Sequence, residues 1–227
     1  MKSPAAWRHG PVEQLSDCRV FTVGASAAIS PTTGREHTFY RIDSADWVNV
    51  IPVTPQGEIV MVRQYRHGKR DLTLEIPGGM VDPGEDPATA AARELLEETG
   101  YRGGPPEPFG QVNPNPALFG NVCHTFVIPG VEQVAEIQNG PTEETVVERV
   151  PMDRLQGLLA AGKLITPWFM SRCTDFCLSA NDPTRPDLPV LAQGAINEST
   201  RSSTMPTSPS CSPRCGVTRI VIWGCRR

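Results

Sequence analysis

Apolar and polar residues alternate with a period of two along a series of short stretches, each of which predicts a strand. Runs at 18–23 and 36–43, separated by the turn-forming Ser30-Pro31-Thr32-Thr33-Gly34, predict an N-terminal hairpin. Residues 47–54 and 58–66 predict a second hairpin that turns at Pro55-Gln56-Gly57. In its second strand Ile59, Met61, Arg63 and Tyr65 alternate with Val60, Val62 and Gln64. Both faces therefore carry bulk, which is the pattern of a strand covered on both sides. Further strands are expected at 72–76, 107–112, 121–128 and 145–150.

After the strand at 72–76 the period becomes helical. Ala88, Ala91, Ala92 and Leu95 form one apolar stripe, Asp86 suits the N-cap, Pro87 suits the first helical position and Gly100 the residue after the last turn. Residues 151–161 predict a second helix with Leu155, Leu158 and Leu159 inward and Gly162 ending it; Thr166-Pro167 opens a third that carries Trp168, Phe169 and Phe176. Residues 1–17 show no sustained period and are expected to be a loose arm. Asn113-Pro114-Asn115-Pro116 cannot be regular structure, because each proline removes a donor and restricts its predecessor. Residues 129–141 read as a loop. Beyond Ala180 the chain is rich in Pro, Ser and Thr with no apolar period, so 181–227 is expected to be a low-complexity, disordered tail. The expected organisation is an arm and hairpin at 1–44, a domain at 45–180 and this tail.

On the first helix Glu94, Glu97 and Glu98 stand at i, i+3 and i+4, so their carboxylates share a face. That placement is unfavourable by roughly 0.2–0.5 kcal/mol for each like-charged pair. Carboxylates in the last turns also oppose the helix dipole, by about 0.3–1 kcal/mol each. Arg93 alone cannot offset three charges. Taken alone, such a run is most often a solvated acidic face; a hard divalent cation with oxygen ligands would turn the repulsion into coordination. Arg63 and Arg66, at the end of an apolar strand, read equally well as rim arginines or as a guanidinium fork for phosphate oxygens.

Spacing decides between these readings. Gly79, five residues, Glu85, seven residues, then Arg93-Glu94-Leu95-Leu96-Glu97-Glu98-Thr99-Gly100-Tyr101 resembles the Nudix box without a mismatch. That box is the signature of hydrolases that cleave nucleoside diphosphates linked to another group. The resemblance is strong at 78–101 and extends more weakly over roughly residues 20–178. Val62-Arg63-Gln64-Tyr65-Arg66 and Leu74-Glu75-Ile76-Pro77-Gly78-Gly79, with Pro116 sixteen positions after Gly100, resemble the ADP-ribose pyrophosphatase branch. The longer motif of coenzyme A pyrophosphatases is absent upstream.

The resemblance implies an α/β (α+β) Nudix fold, a mixed sheet sandwiched between helices, with the N-terminal β-hairpin and the C-terminal tail outside it. It implies Mg2+-assisted hydrolysis, with Mn2+ as a substitute, of ADP-ribose to AMP and ribose 5-phosphate. GDP-mannose, other ADP-sugars and nucleoside triphosphates stay open, as does a Nudix-fold sensor that binds a nucleotide sugar without cleaving it. Glu94, Glu97 and Glu98 would hold the metal with the carbonyl of Gly78, Arg93 would orient them, and a loop glutamate, Glu143 or Glu144, would accept the proton. Arg63, Arg66, Glu75 and Trp47 become candidate substrate-binding residues. A homodimer through the N-terminal hairpin is expected from the same branch.

Composition adds limits. The net charge of −4 without a Lys/Arg run argues against nucleic acid or anionic membrane as partner. No apolar run approaches the ~20 residues of a membrane span. The N-terminus lacks an apolar signal core, so the expected compartment is cytoplasmic. Of the seven cysteines, the pairs Cys173–Cys177 and Cys211–Cys215 lack a nearby histidine, and free thiols are expected rather than a zinc site. His124, alternating with apolar residues, reads as a structural histidine.

Overall fold

Valine, isoleucine and methionine at both parities between residues 47 and 66 build the centre of the fold. Ile51, Val53, Ile59 and Met61 point into one core and Val48, Val50 and Val60 into another. The structure, a computed structural model, describes residues 3–161 and Leu164. The elements are β1 (Arg8–His9), β2 (Glu13–Asp17), β3 (Phe21–Ile29), β4 (Glu36–Ser44), β5 (Trp47–Val53), β6 (Glu58–Arg66), β7 (Asp71–Glu75) and β8 (Gly78–Met80). They continue with α1 (Pro87–Thr99), β9 (Tyr101–Arg102), β10 (Glu107–Val112), β11 (Cys123–Pro129), β12 (Glu132–Gln133), β13 (Thr145–Pro151) and α2 (Met152–Ala160).

The main sheet is mixed, in the order β10-β11-β5-β6-β13, with β5 and β11 its parallel pair. Helix α1 covers one face through Ala90, Ala91 and Leu95. Leu155 of α2, with Leu164, covers the other. This is the expected sheet between helices, and the double-faced pattern of β6 is explained by it. Burying side chains such as Leu95 and Ile51, each essentially inaccessible to solvent, contributes about 1.5–3 kcal/mol apiece.

The predicted hairpin at 47–66 forms, yet β5 and β6 pair only at Val53↔Ile59 and then separate. Residues 71–80 bridge the gap: β7 pairs with β6 and β8 pairs with β5. The chain therefore crosses the sheet at Ile76-Pro77, where Pro77 O accepts from Val50 N at 2.9 Å. β8 is absent from the sequence reading because Gly-Gly-Met has no strand pattern; its ladder is imposed by the open edge of β5.

The N-terminal hairpin is part of a four-stranded antiparallel sheet. β3 extends to Ile29, through Gly24-Ala25-Ser26-Ala27-Ala28, whose small residues hide the strand. Residues 1–17 were expected as a loose arm, but β1 and β2 lie along β3. Every residue of both is exposed; they are held by backbone hydrogen bonds, which leave no apolar period to read. The sheet is tied to the irregular 113–121 segment through Ile42, whose N–H donates to Leu118 O at 2.8 Å. Among the described residues no helix is long and apolar enough to cross a membrane. The predicted helix after Pro167, the tail and the five cysteines from Cys173 onward lie outside the described residues.

Candidate active site

Helix α1 is fixed at both ends as its sequence requires. Asp86 Oδ2 accepts from the N–H groups of Ala88 (3.0 Å) and Thr89 (3.3 Å), and Pro87 occupies the first turn. Gly100 closes the helix at φ 73° and donates its N–H to Leu96 O. A Cβ at Gly100 would stand 2.1 Å from the carbonyl oxygen of Ala135, so glycine is required there twice over. No basic side chain occupies the last turn. The carbonyls of that turn are instead met by the following loop: Gln138 N–H donates to Glu97 O, and Val134 and Ala135 N–H donate to Gly100 O.

The carboxylates on this helix are held by Arg93 and by the two glycines of β8. Arg93 donates to both oxygens of Glu85 at 3.0 Å, to Met80 O at 3.0 Å, to Glu94 at 2.8 Å and to Glu97 at 3.2 Å. Glu85 lies well below the usual carboxylate range because Arg93 bonds it. The Glu94 carboxylate rests against Gly79, where a Cβ would come within 2.5 Å of it. Lysine supplies one point charge in place of this planar fork. Arg93→Lys is therefore expected to lower kcat/KM by about 10–100-fold, in the range of lost ligand-orienting partners. Unchanged steady-state kinetics would contradict that assignment.

Glu98 is 8% exposed, and its Oε2 accepts from Gly78 N–H at 3.0 Å. Burial pushes its carboxyl up to about 8; the Gly78 hydrogen bond opposes this, the Glu94 charge adds to it, and Arg66 offsets part. Glu94 is likewise raised by burial, against the pull of Arg93. Glu97 is the most open of the three. Among the described residues no three acidic, histidine or cysteine groups converge into a preassembled metal cluster. The donor set nevertheless fits a hard divalent cation: all donors are oxygens, Gly79 lets the backbone lie against the Glu94 carboxylate, and the buried Glu98 carboxyl has a single hydrogen bond, from Gly78 N–H.

Glu98 also sets a pH dependence. Its ordinary value is 4.5 and its folded value about 8, so the folded chain binds a proton that the unfolded chain has released. Metal-free protein is expected to be most stable at the acid end and to lose up to a few kcal/mol as pH rises through that window. Glu94 acts in the same direction. Thermal melts in chelator should fall between pH 5.5 and 8.5, and Glu98→Gln should remove most of the fall; a flat profile in the parent protein would refute this.

The cleft lies where β5 and β6 separate. Phe21, Trp47, Phe119, Asn49, Asn121, Cys123, Arg66, Glu75 and Gly78 line about 300 Å³ of space. It adjoins a wider mouth where Trp47, Arg66 and Glu75 meet Gln64, Thr73, Glu143 and Glu144. Arg66 makes a bidentate pair with Glu75, Nε to Oε1 and Nη2 to Oε2, both at 3.0 Å. Burial alone would raise Glu75, but its bonds from Arg66 and Thr73 hold it below the usual range.

Arg63 is not brought to this site. Three positions apart on one strand, Arg63 and Arg66 leave opposite faces. Arg63 lies on the face of Ile59 and Met61 and pairs with Glu148 at 2.6 Å, so the expected two-arginine fork does not form. Phe21, Phe119, Asn49 and Asn121 were missed by the sequence reading, because only tertiary folding carries them to the cleft. Glu85 was visible as part of the motif, but its role as the partner of Arg93 was not. His124, expected to be structural, stands 3.4 Å from Asp46.

Comparison with known proteins places this geometry. The NUDIX domain profile matches residues 44–169. A CMP-5'-(N-acetyl-N-hydroxy-3-aminopropyl)phosphonate hydrolase of Streptomyces rubellomurinus is 32% identical over 156 residues, which is 67% of this chain and 73% of that protein. An ADP-ribose pyrophosphatase of Bacillus subtilis is 32% identical over 99 residues, 44% of this chain and 54% of its own length. The crystal structure of an ADP compounds hydrolase shares the fold, with a TM-score of 0.67 at 22% identity over 78% of this chain and 95% of that one. The chain accordingly belongs to the Nudix family, whose hydrolases act on small-molecule nucleotides with divalent metal ions, and it is an enzyme of the pyrophosphatase type.

Proposed function

We propose that the protein hydrolyses the pyrophosphate bond of ADP-ribose to AMP and ribose 5-phosphate with Mg2+. The observation that carries this reading is one of adjacency: Gly78 lines the aromatic cleft with Trp47 and also donates its N–H to Glu98. A nucleoside seated in the cleft thus has its diphosphate beside the carboxylate face of α1. Glu94, Glu97 and Glu98, with the carbonyl of Gly78, would hold the cation, which supplies charge neutralisation for the diphosphate and acidity for a water.

The remaining work belongs to side chains of the chain itself. Trp47 offers an aromatic face to the base. Arg66, kept in place by Glu75, presents a cation at the cleft to the diphosphate. Water attacks one phosphorus, the bridging P–O bond breaks, and the displaced phosphate leaves as a monoester. The water proton goes to Glu143. Glu143 lines the mouth of the cleft with Arg66 and Glu75, and its charge is felt at Arg66, Glu94 and Glu98.

ADP-ribose is preferred to the alternatives because an ADP-ribose pyrophosphatase of Bacillus subtilis is among the relatives of this chain, and because the segments 62–66 and 74–79 resemble that branch. Chromatographic product analysis across ADP-ribose, other ADP-sugars, GDP-mannose and nucleoside triphosphates tests this. The highest kcat/KM is expected for ADP-ribose; a preference for another compound would reassign the substrate, and tight binding without turnover would indicate a sensor. A homodimer through the N-terminal sheet is part of the same reading, supported by the exposed Trp7, Leu15, Phe39 and Tyr40. Deleting residues 1–44 is expected to give a monomer in light scattering; an active chain of unchanged oligomeric state would oppose it.

A further inference from the structure

The loop that carries Glu143 is fastened to the same turn of α1 that carries Glu98. Thr145, at the first position of β13, is 6% exposed. Its Oγ1 stands 2.9 Å from the carbonyl oxygen of Glu98 and 2.8 Å from Oδ1 of the Asn139 amide. A hydroxyl has one proton to donate. Both contacts are satisfied together when the Asn139 amide presents its NH2 to Thr145 and Thr145 donates to Glu98 O. Between these two residues the chain makes a tight turn, with Glu143 N–H donating to Gly140 O at 3.2 Å. Gln138 N–H, next to Asn139, donates to Glu97 O at 2.8 Å. The foot of the loop is thus bolted to the backbone of Glu97 and Glu98, with Glu143 two residues from the bolt.

We propose that Thr145, with Asn139 as its loop-closing partner, is a positioning residue for Glu143, fixing the proton acceptor relative to the carboxylates of α1. This rests on the assignment of Glu143 as the base. Glu98 O is a last-turn carbonyl without a partner inside the helix, so the hydroxyl caps α1 as well; steady-state kinetics separate positioning from capping. Misplacing a catalytic group by about 1 Å costs on the order of 100-fold in rate, so even partial loosening has a kinetic signature separate from binding.

The test is steady-state kinetics on the full chain with ADP-ribose at varied Mg2+. Thr145→Val, which keeps the shape and removes the hydroxyl, is expected to lower kcat about tenfold or more, with KM and the Mg2+ activation constant within about twofold. Thr145→Ser should recover most of the loss, and Asn139→Ala should lower kcat in the same direction by less. In a Glu143→Gln background, Thr145→Val should change kcat by less than about twofold, because a loop with no base to place gains nothing from being placed. The proposal is overturned by an unchanged kcat in Thr145→Val, by the same loss in both backgrounds, or by a loss confined to the Mg2+ activation constant. Should Thr145→Val fail to fold, undiminished kcat in both Thr145→Ser and Asn139→Ala overturns it equally. Near-parental turnover in Glu143→Gln alone would instead reject the base assignment, and the positioning role with it.

Discussion

Glu98→Gln is expected to lower kcat with ADP-ribose by about three orders of magnitude, since charge stabilisation by a bound cation is worth several kcal/mol and each ~1.4 kcal/mol is tenfold. The fold should survive. Glutamine keeps the volume and can still accept from Gly78 N–H, and removing a carboxylate from a site that is 8% exposed removes a desolvation cost. Metal-free Glu98→Gln is therefore expected to melt at or above the parent temperature at pH 9, where the parent carries the buried charge. Loss of activity together with gain of stability is the signature of a residue kept for function. Near-normal turnover at saturating Mg2+ would reject the carboxylate face of α1 as the metal site.

The second large effect is expected at Glu143. Loss of a general base typically costs 10²–10⁴-fold, and about that range is expected in kcat for Glu143→Gln, with Mg2+ activation little changed. Glu144→Gln should stay within a few-fold of the parent, because it is the charge of Glu143 that is felt at Arg66, Glu94 and Glu98. Equal, small effects from both substitutions would discard a base on this loop. A large effect at Glu144 and none at Glu143 would move the base to Glu144.

The elements that could be read from the sequence are those specified locally. Asp86, Pro87 and Gly100 fix α1 by capping chemistry that needs no tertiary partner, and the shared face of Glu94, Glu97 and Glu98 follows from helical spacing alone. The two-sided burial of β6 was legible in its doubled apolar pattern. What the sequence hid was set by edges and parity. Every residue of β1 and β2 is exposed, so they show no apolar period; β8 exists because β5 offers an unpaired edge to a glycine pair. The separation of β5 from β6, which makes the cleft, leaves no mark in either strand. Arg63 and Arg66 are near in sequence, but at odd separation on β6 they leave opposite faces, and only Arg66 reaches the cleft. The aromatic wall contributed by Phe21 and Phe119 comes from segments almost a hundred positions apart, which no local pattern could join.

The face of α1 beside the Trp47 cleft is expected to carry the hydrolysis of a pyrophosphate. Phosphorus NMR of ADP-ribose incubated with the protein and Mg2+ measures this directly. The two diphosphate resonances are expected to give way to two phosphate monoester resonances, AMP and ribose 5-phosphate, at a rate set by the protein and almost abolished in Glu98→Gln. Persistence of the diphosphate, or cleavage that proceeds equally in Glu98→Gln, would contradict it.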